Sequence, residues 1–180
     1  IYTILFTMPG IPSIYYGSEY AVEGRKHNGS DADIRPCLQL CEFDSEKLCE
    51  HLALLSFVHK MKACSHGSYE QVLLRNEQFV FCRSCEQDSL YIACNVADAD
   101  YEAELPIPQG CWKDFLRGTT YRSEGGSLQL TIPAKSSCIL YKDNESEQTV
   151  TEDCSISYGE ARDLMEEEQS AVYAVQIGRA

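Results

Sequence analysis

From Ser68 to Tyr141 the chain reads as a succession of short runs whose apolar residues alternate with polar ones. They are Tyr69 to Arg75, Gln78 to Arg83, Ser89 to Val96, Tyr101 to Ile107, Cys111 to Leu116, Leu128 to Ile132 and Cys138 to Tyr141. Turn-forming clusters separate them at Asn76-Glu77, Glu86-Gln87-Asp88, Asp98-Ala99-Asp100 and Gly125-Gly126. Period-two alternation places one face of each run toward a core, and closely spaced turns bring the runs back antiparallel. This pattern predicts a small antiparallel β-sandwich.

The first 67 residues have a different grammar. Ile1 to Thr7 reads as the end of a helix or a buried segment, broken by Pro9-Gly10. Ile11 to Tyr16 is a short apolar run closed by Gly17, the signature of a buried strand bounded by turn signals. A polar loop follows, carrying Glu19, Glu23, Arg25, Lys26, Asp31, Asp33 and Arg35. Loops behind buried strands are where scaffolds keep their chemistry. Asp44 is an N-cap candidate with Glu46 in the first turn, and Leu48, Leu52, Leu55, Val58 or His59 and Met61 recur near the helical period up to Gly67.

Composition bounds the function. The 180 residues are 44% apolar, enough for an ordinary core. The chain opens on Ile1-Tyr2-Thr3-Ile4-Leu5-Phe6, with no initiator Met, basic leader or cleavage site, so a piece of a longer chain is expected. No apolar run approaches the roughly 18 residues that span a bilayer, and no membrane partner is expected. A net charge of −13 argues against nucleic acid, whose phosphates need clustered Lys and Arg. From Asp143 to Ala180 there are ten acidic and two basic residues, so −8 of that charge lies in an acidic tail. Within the tail, Ser157-x-x-Glu160 has capping-box spacing for a short helix. Its alternative is a solvated, partly helical segment.

The ten cysteines sit mostly within apolar runs and read as small core residues kept reduced in a cytoplasmic setting. A metal site through Cys82-x-x-Cys85 with Cys37-x-x-x-Cys41 is disfavoured, because no second close-spaced pair stands at zinc-finger distance. No metal or cofactor is expected.

The text Gly10-x-Pro12-x-x-Tyr15-Tyr16-Gly17-x-Glu19, followed by Asp31-x-x-x-Arg35, resembles the α-amylase family of glycoside hydrolases. Its loop text, GSEYAVEG and GSDADIRP, is similar to the intracellular cyclomaltodextrinase and neopullulanase branch, and VFCRSCEQDSLYIACN, CWKDFLRG and LQLTIPAKSSCILY resemble the β domain that follows the family's barrel. The resemblance implies the C-terminal end of a (β/α)8 TIM barrel, its last strand and helix, in residues 1–66. An all-β antiparallel sandwich would occupy 67–142, and the tail 143–180. It also implies action on α-glucosidic bonds of maltodextrins or starch-type oligosaccharides, with an α-glucan as partner.

Retaining hydrolysis needs two carboxyl groups about 5 to 5.5 Å apart. The resemblance places the family's three catalytic carboxylates after earlier barrel strands, so no catalytic residue is expected in this chain. Glu19 matches a non-catalytic family position, with a hydrogen-bonding or site-lining role. Asp31 and Arg35 match a pair that contacts glucose hydroxyls, for which a carboxylate acceptor and a guanidinium fork are suited. Read from the residues alone, they also fit a loop-stabilising ion pair contributing at most about 1 kcal/mol. Tyr15 and Tyr16 fit either sugar stacking or barrel core, and on a strand one faces inward and the other outward. Trp112 reads as sandwich core in preference to a starch-binding platform. Asp33, His27 and His59 have no assigned role. Two rival readings are a non-catalytic carbohydrate-binding module and a structural relative that has lost catalysis.

Overall fold

A computed structural model describes residues 1–39, 46–86 and 88–143. Asp44, Cys41, Cys154 and the tail helix expected near Ser157 lie outside them. Residues 1–147 form one compact unit.

Eight strands follow the helices: β1 Ser68–Leu74, β2 Gln78–Ser84, β3 Ser89–Asn95, β4 Tyr101–Leu105, β5 Gly110–Asp114, β6 Thr120–Ser123, β7 Leu128–Ile132 and β8 Ser136–Lys142. Seven coincide with the runs read from the sequence. The eighth, β6, buries one residue in four and so shows no alternation to read. Six strands make one antiparallel sheet in the order β1-β2-β3-β8-β5-β6, and β4 pairs with β7 in a second. β7 alternates cleanly, with Leu128, Leu130 and Ile132 turned inward and Gln129 and Thr131 outward. Between the sheets these residues meet Val80, Tyr91, Ala93, Trp112, Cys138 and Leu140. Trp112 is core: it is 1% exposed, meets the Tyr91 ring edge-on at 5.2 Å, and donates its indole N–H to the Pro108 carbonyl at 2.9 Å.

The other face of the large sheet is covered too. Helices α1 Tyr2–Thr7, α2 Glu46–Lys60 and α3 Lys62–Ser65 precede the strands. Leu52, Leu55 and Val58 recur at one-turn spacing on α2 and pack with Phe6 against Phe81, Leu90, Ile92, Cys94 and Ile139 of the sheet. β3 is therefore buried on both faces, Leu90, Ile92 and Cys94 toward the helices and Tyr91 and Ala93 toward the second sheet. That explains its continuous apolar text. The periodicity that marks the apolar stripe of α2 does not say what the stripe meets, and the sandwich sheet is its partner. His59 bridges the helices, its Nδ1 lying 2.8 Å from the Phe6 carbonyl oxygen.

One expected element is absent. Ile11 to Tyr16 carries no strand among the described residues; the segment is irregular and then turns at Tyr16-Gly17. An apolar run sets a strand's propensity, but a ladder needs a neighbour's N–H and C=O groups, and none of the described segments pairs with it as a strand. Among the cysteines, Cys64, Cys82, Cys94, Cys111 and Cys138 are buried and free, as small core residues; Cys37 is exposed.

Candidate functional site

The polar loop is built by backbone conformation before any charge is placed. α1 ends where Met8 turns extended, its N–H still bonded to the Ile4 carbonyl at 2.9 Å. The chain runs out past Gly10, and a short 3₁₀ turn, Ser18–Tyr20, reverses it with help from a left-handed Ala21. A second reversal centres on Asn28-Gly29, both at positive φ, with Ser30 N–H bonded to the His27 carbonyl at 2.8 Å. The two limbs of the loop then touch so closely that a Cβ on Gly24 would lie 2.3 Å from the Asp33 carbonyl oxygen. Only glycine fits there.

This backbone brings the charged side chains together. Asp31 opens the 3₁₀ turn Ala32–Ile34; its Oδ1 meets the Lys26 ammonium at 2.8 Å and its Oδ2 meets the Arg35 guanidinium at 3.4 Å. His27 Nδ1 and Asp33 Oδ2 are 2.8 Å apart. The Tyr15 and Tyr16 rings lie 4.8 Å apart, tilted by 44°, and both are about half exposed. The inward-and-outward alternation expected of a strand does not hold, since the segment is not one. The Tyr16 hydroxyl donates to the Pro36 carbonyl at 3.3 Å. Its pKa is raised, first by desolvation and then by the Tyr15 hydroxyl, so it stays a neutral donor.

A pocket of about 440 Å³ opens in this loop, lined among others by Tyr15, Tyr16, Glu23, Asp33, Arg35 and Leu38. Asp31 stands behind Arg35 and is not part of the lining. Glu19 is not in the lining either. Its Oε2 is shielded from solvent without a hydrogen-bond partner among the described residues, and its carbonyl accepts a weak bond from the Cys49 thiol. The sequence reads Lys26 only as a charged loop residue; its pairing with Asp31, at a shorter distance than that of Arg35, was not foreseen. The signal for it was the Asn28-Gly29 hairpin dipeptide, which folds position 26 back across position 31.

Two aromatic rings, the exposed guanidinium of Arg35 and the carboxylates of Glu23 and Asp33 can orient a neutral, hydroxyl-rich ligand. Among the described residues no group of three His, Cys, Asp or Glu side chains is placed to hold a metal ion. No described helix is long and apolar enough to cross a membrane.

Comparison with known proteins shows what this β-sandwich, backed by helices and joined to an aromatic, charge-lined loop, is similar to. No family model matches the chain. It is similar to a cyclomaltodextrinase of Geobacillus thermopakistaniensis (strain MAS1), 25% identical over 139 residues, which are 74% of this chain and 23% of that protein. Among solved structures it resembles an Anoxybacillus α-amylase at a TM-score of 0.71 and 26% identity, over 83% of this chain and 32% of that one. It shares the fold of an α-amylase from Geobacillus thermoleovorans, solved with acarbose, at a TM-score of 0.68 and 21% identity over 79% and 32% of the two chains. The chain is a relative of the α-amylase family of glycoside hydrolases, glycoside hydrolase family 13. It spans less than a third of the length of the relatives it matches.

Proposed function

We propose that this chain is the C-terminal portion of an α-amylase-family glycosidase that cleaves α-glucosidic bonds in maltodextrins or starch-type oligosaccharides. In this reading Ile11 to Tyr16 is the last stave of the (β/α)8 barrel, whose ladder neighbours and three catalytic carboxylates belong to upstream sequence. Of the pair Asp31 and Arg35, the guanidinium contacts glucose hydroxyls from the pocket wall and the carboxylate backs it. Tyr15 and Tyr16 flank the sugar.

The observation that carries it is the convergence of Tyr15, Tyr16 and Arg35 on one pocket within the very loop that bears the family motif. Arg35 suits the role. Among the described residues its guanidinium makes one carboxylate contact, at 3.4 Å, and is 63% exposed, which leaves N–H donors for a ligand. Asp31, bracketed by Lys26 and Arg35, holds that fork in place. The sandwich is less suited to bind sugar, since its Trp112 ring is buried.

The test is reducing-sugar release from maltodextrin. The isolated chain is expected to release none, and the polypeptide extended through its upstream coding sequence is expected to be active. In that longer protein Arg35→Ala is expected to lower kcat/KM about 10- to 100-fold, chiefly through KM, as a lost charge-assisted hydrogen bond would. Activity in the isolated chain, or an Arg35→Ala variant of unchanged KM, would overturn the reading.

A further inference from the structure

Arg83 lies on the helix-facing side of β2 and is 2% exposed. No carboxylate pairs with it among the described residues. Its guanidinium is satisfied instead by main-chain carbonyls: Nε donates to Ser68 at 3.1 Å, Nη1 to Thr7 at 2.9 Å, and Nη2 to Cys64 at 2.6 Å and Gly67 at 2.9 Å. A buried cation is costly unless its donors are met. Here they are met by carbonyls that helix ends leave unpaired, Thr7 being the last residue of α1 and Cys64 belonging to the short α3. The fit around them is close. A Cβ on Gly67 would lie 2.2 Å from the Ala63 carbonyl oxygen and 2.7 Å from that of Ser84, so the link from α3 to β1 is pressed against its neighbours.

Thr7 is also where the chain leaves α1 for Pro9, Gly10 and the pocket-lining tyrosines. We propose that Arg83 is a positioning residue for the loop site: the sandwich sheet, through one guanidinium, fixes the point from which the Ile11 to Arg35 segment departs. Its functional meaning rests on the sugar-contact reading of that loop; the anchoring itself does not.

The test is site-resolved amide hydrogen exchange on the chain without sugar. In Arg83→Met, protection at Met8, Ser18 and Val22, whose N–H groups bond to Ile4, Tyr15 and Gly17, is expected to fall about tenfold. Protection at Ile92 and Leu130 in the sheets is expected to hold. Arg83→Lys, which keeps a cation with fewer directed donors, is expected to restore part of the loss. Leu130→Ala serves as the contrast, lowering protection at Ile92 at least as much as at Met8. An equal fall in sheet and loop in Arg83→Met, or no fall in the loop, overturns the proposal. Should Arg83→Met not fold, Arg83→Lys is read by the same criterion: selective loss at Met8, Ser18 and Val22 supports anchoring, and uniform or absent loss refutes it. Failure here leaves sugar release in the longer protein untouched, so the two readings fall separately.

Discussion

Leu55→Ala tests whether the helices are part of the folded unit or a cover laid on a self-sufficient sandwich. Leu55 is fully buried on α2, among Phe81, Leu90, Ile92 and Ile139 of the large sheet. The substitution removes three carbons, worth about 0.8 kcal/mol each in transfer free energy, or about 2.4 kcal/mol. A cavity term adds to this because the sheet beneath cannot follow the missing side chain, which brings the expected loss to about 3 to 4 kcal/mol. For a compact unit of this size that is a fall in Tm of about 10 °C. Thermal unfolding followed by far-UV circular dichroism is the assay, with Leu130→Ala, which opens the core between the two sheets, as its companion. Both variants are expected to lower one cooperative transition by similar amounts. A Leu55→Ala melt within about 2 °C of the parent, beside a Leu130→Ala melt that falls fully, would refute the claim that α2 and the sheet share a core.

Asp114 is fully buried; its Oδ1 accepts from the N–H groups of Leu116 and Ile139 at 3.1 and 3.0 Å, and its Oδ2 from Arg117 at 2.9 Å. Asp114→Asn turns an amide N–H toward a guanidinium and is expected to cost about 2 to 4 kcal/mol, read as a lower urea midpoint. Burial lifts the thiols of Cys64 and Cys94 to about 11 and that of Cys138 to about 12. Their ordinary value is 9.0, so above it the unfolded chain sheds protons that the folded one keeps. Stability is then expected to be intact below about pH 9 and to fall as pH rises toward 11; a urea midpoint that rises over that interval would refute it. In a thiol-reagent titration at neutral pH the exposed Cys37 is expected to react well before the buried Cys64, Cys94 and Cys138.

What the sequence made legible was whatever one face of one element decides alone. β7 could be read because Leu128, Leu130 and Ile132 alternate with polar neighbours, and α2 because its leucines recur by turns. β6, an edge strand reading Thr-Tyr-Arg-Ser with a single buried residue, carries no such pattern. Periodicity also says that a face is apolar without saying what it meets. The helical stripe was legible and the sheet it covers was not. The same gap explains Ile11 to Tyr16: apolar text between turn signals specifies extended backbone, while the ladder that makes it a strand belongs to whatever lies beside it.

The site divides along the same line, and the division bears on how its variants should be judged. Asp31 and Arg35 were legible as a pair because they fall four residues apart inside a recognisable motif. Their mutual contact is exposed and worth at most about 1 kcal/mol, as is that of Lys26 with Asp31. Such contacts do not hold a loop of this length in shape. The shape comes from the Asn28-Gly29 reversal, the closeness of Gly24 to the Asp33 carbonyl, and the anchored end of α1. Charge at positions 26, 31 and 35 can therefore be changed with the loop backbone left in place, which makes the pocket-lining Arg35 the side chain to vary in a test of the proposed ligand contact and the glycines reporters of loop geometry.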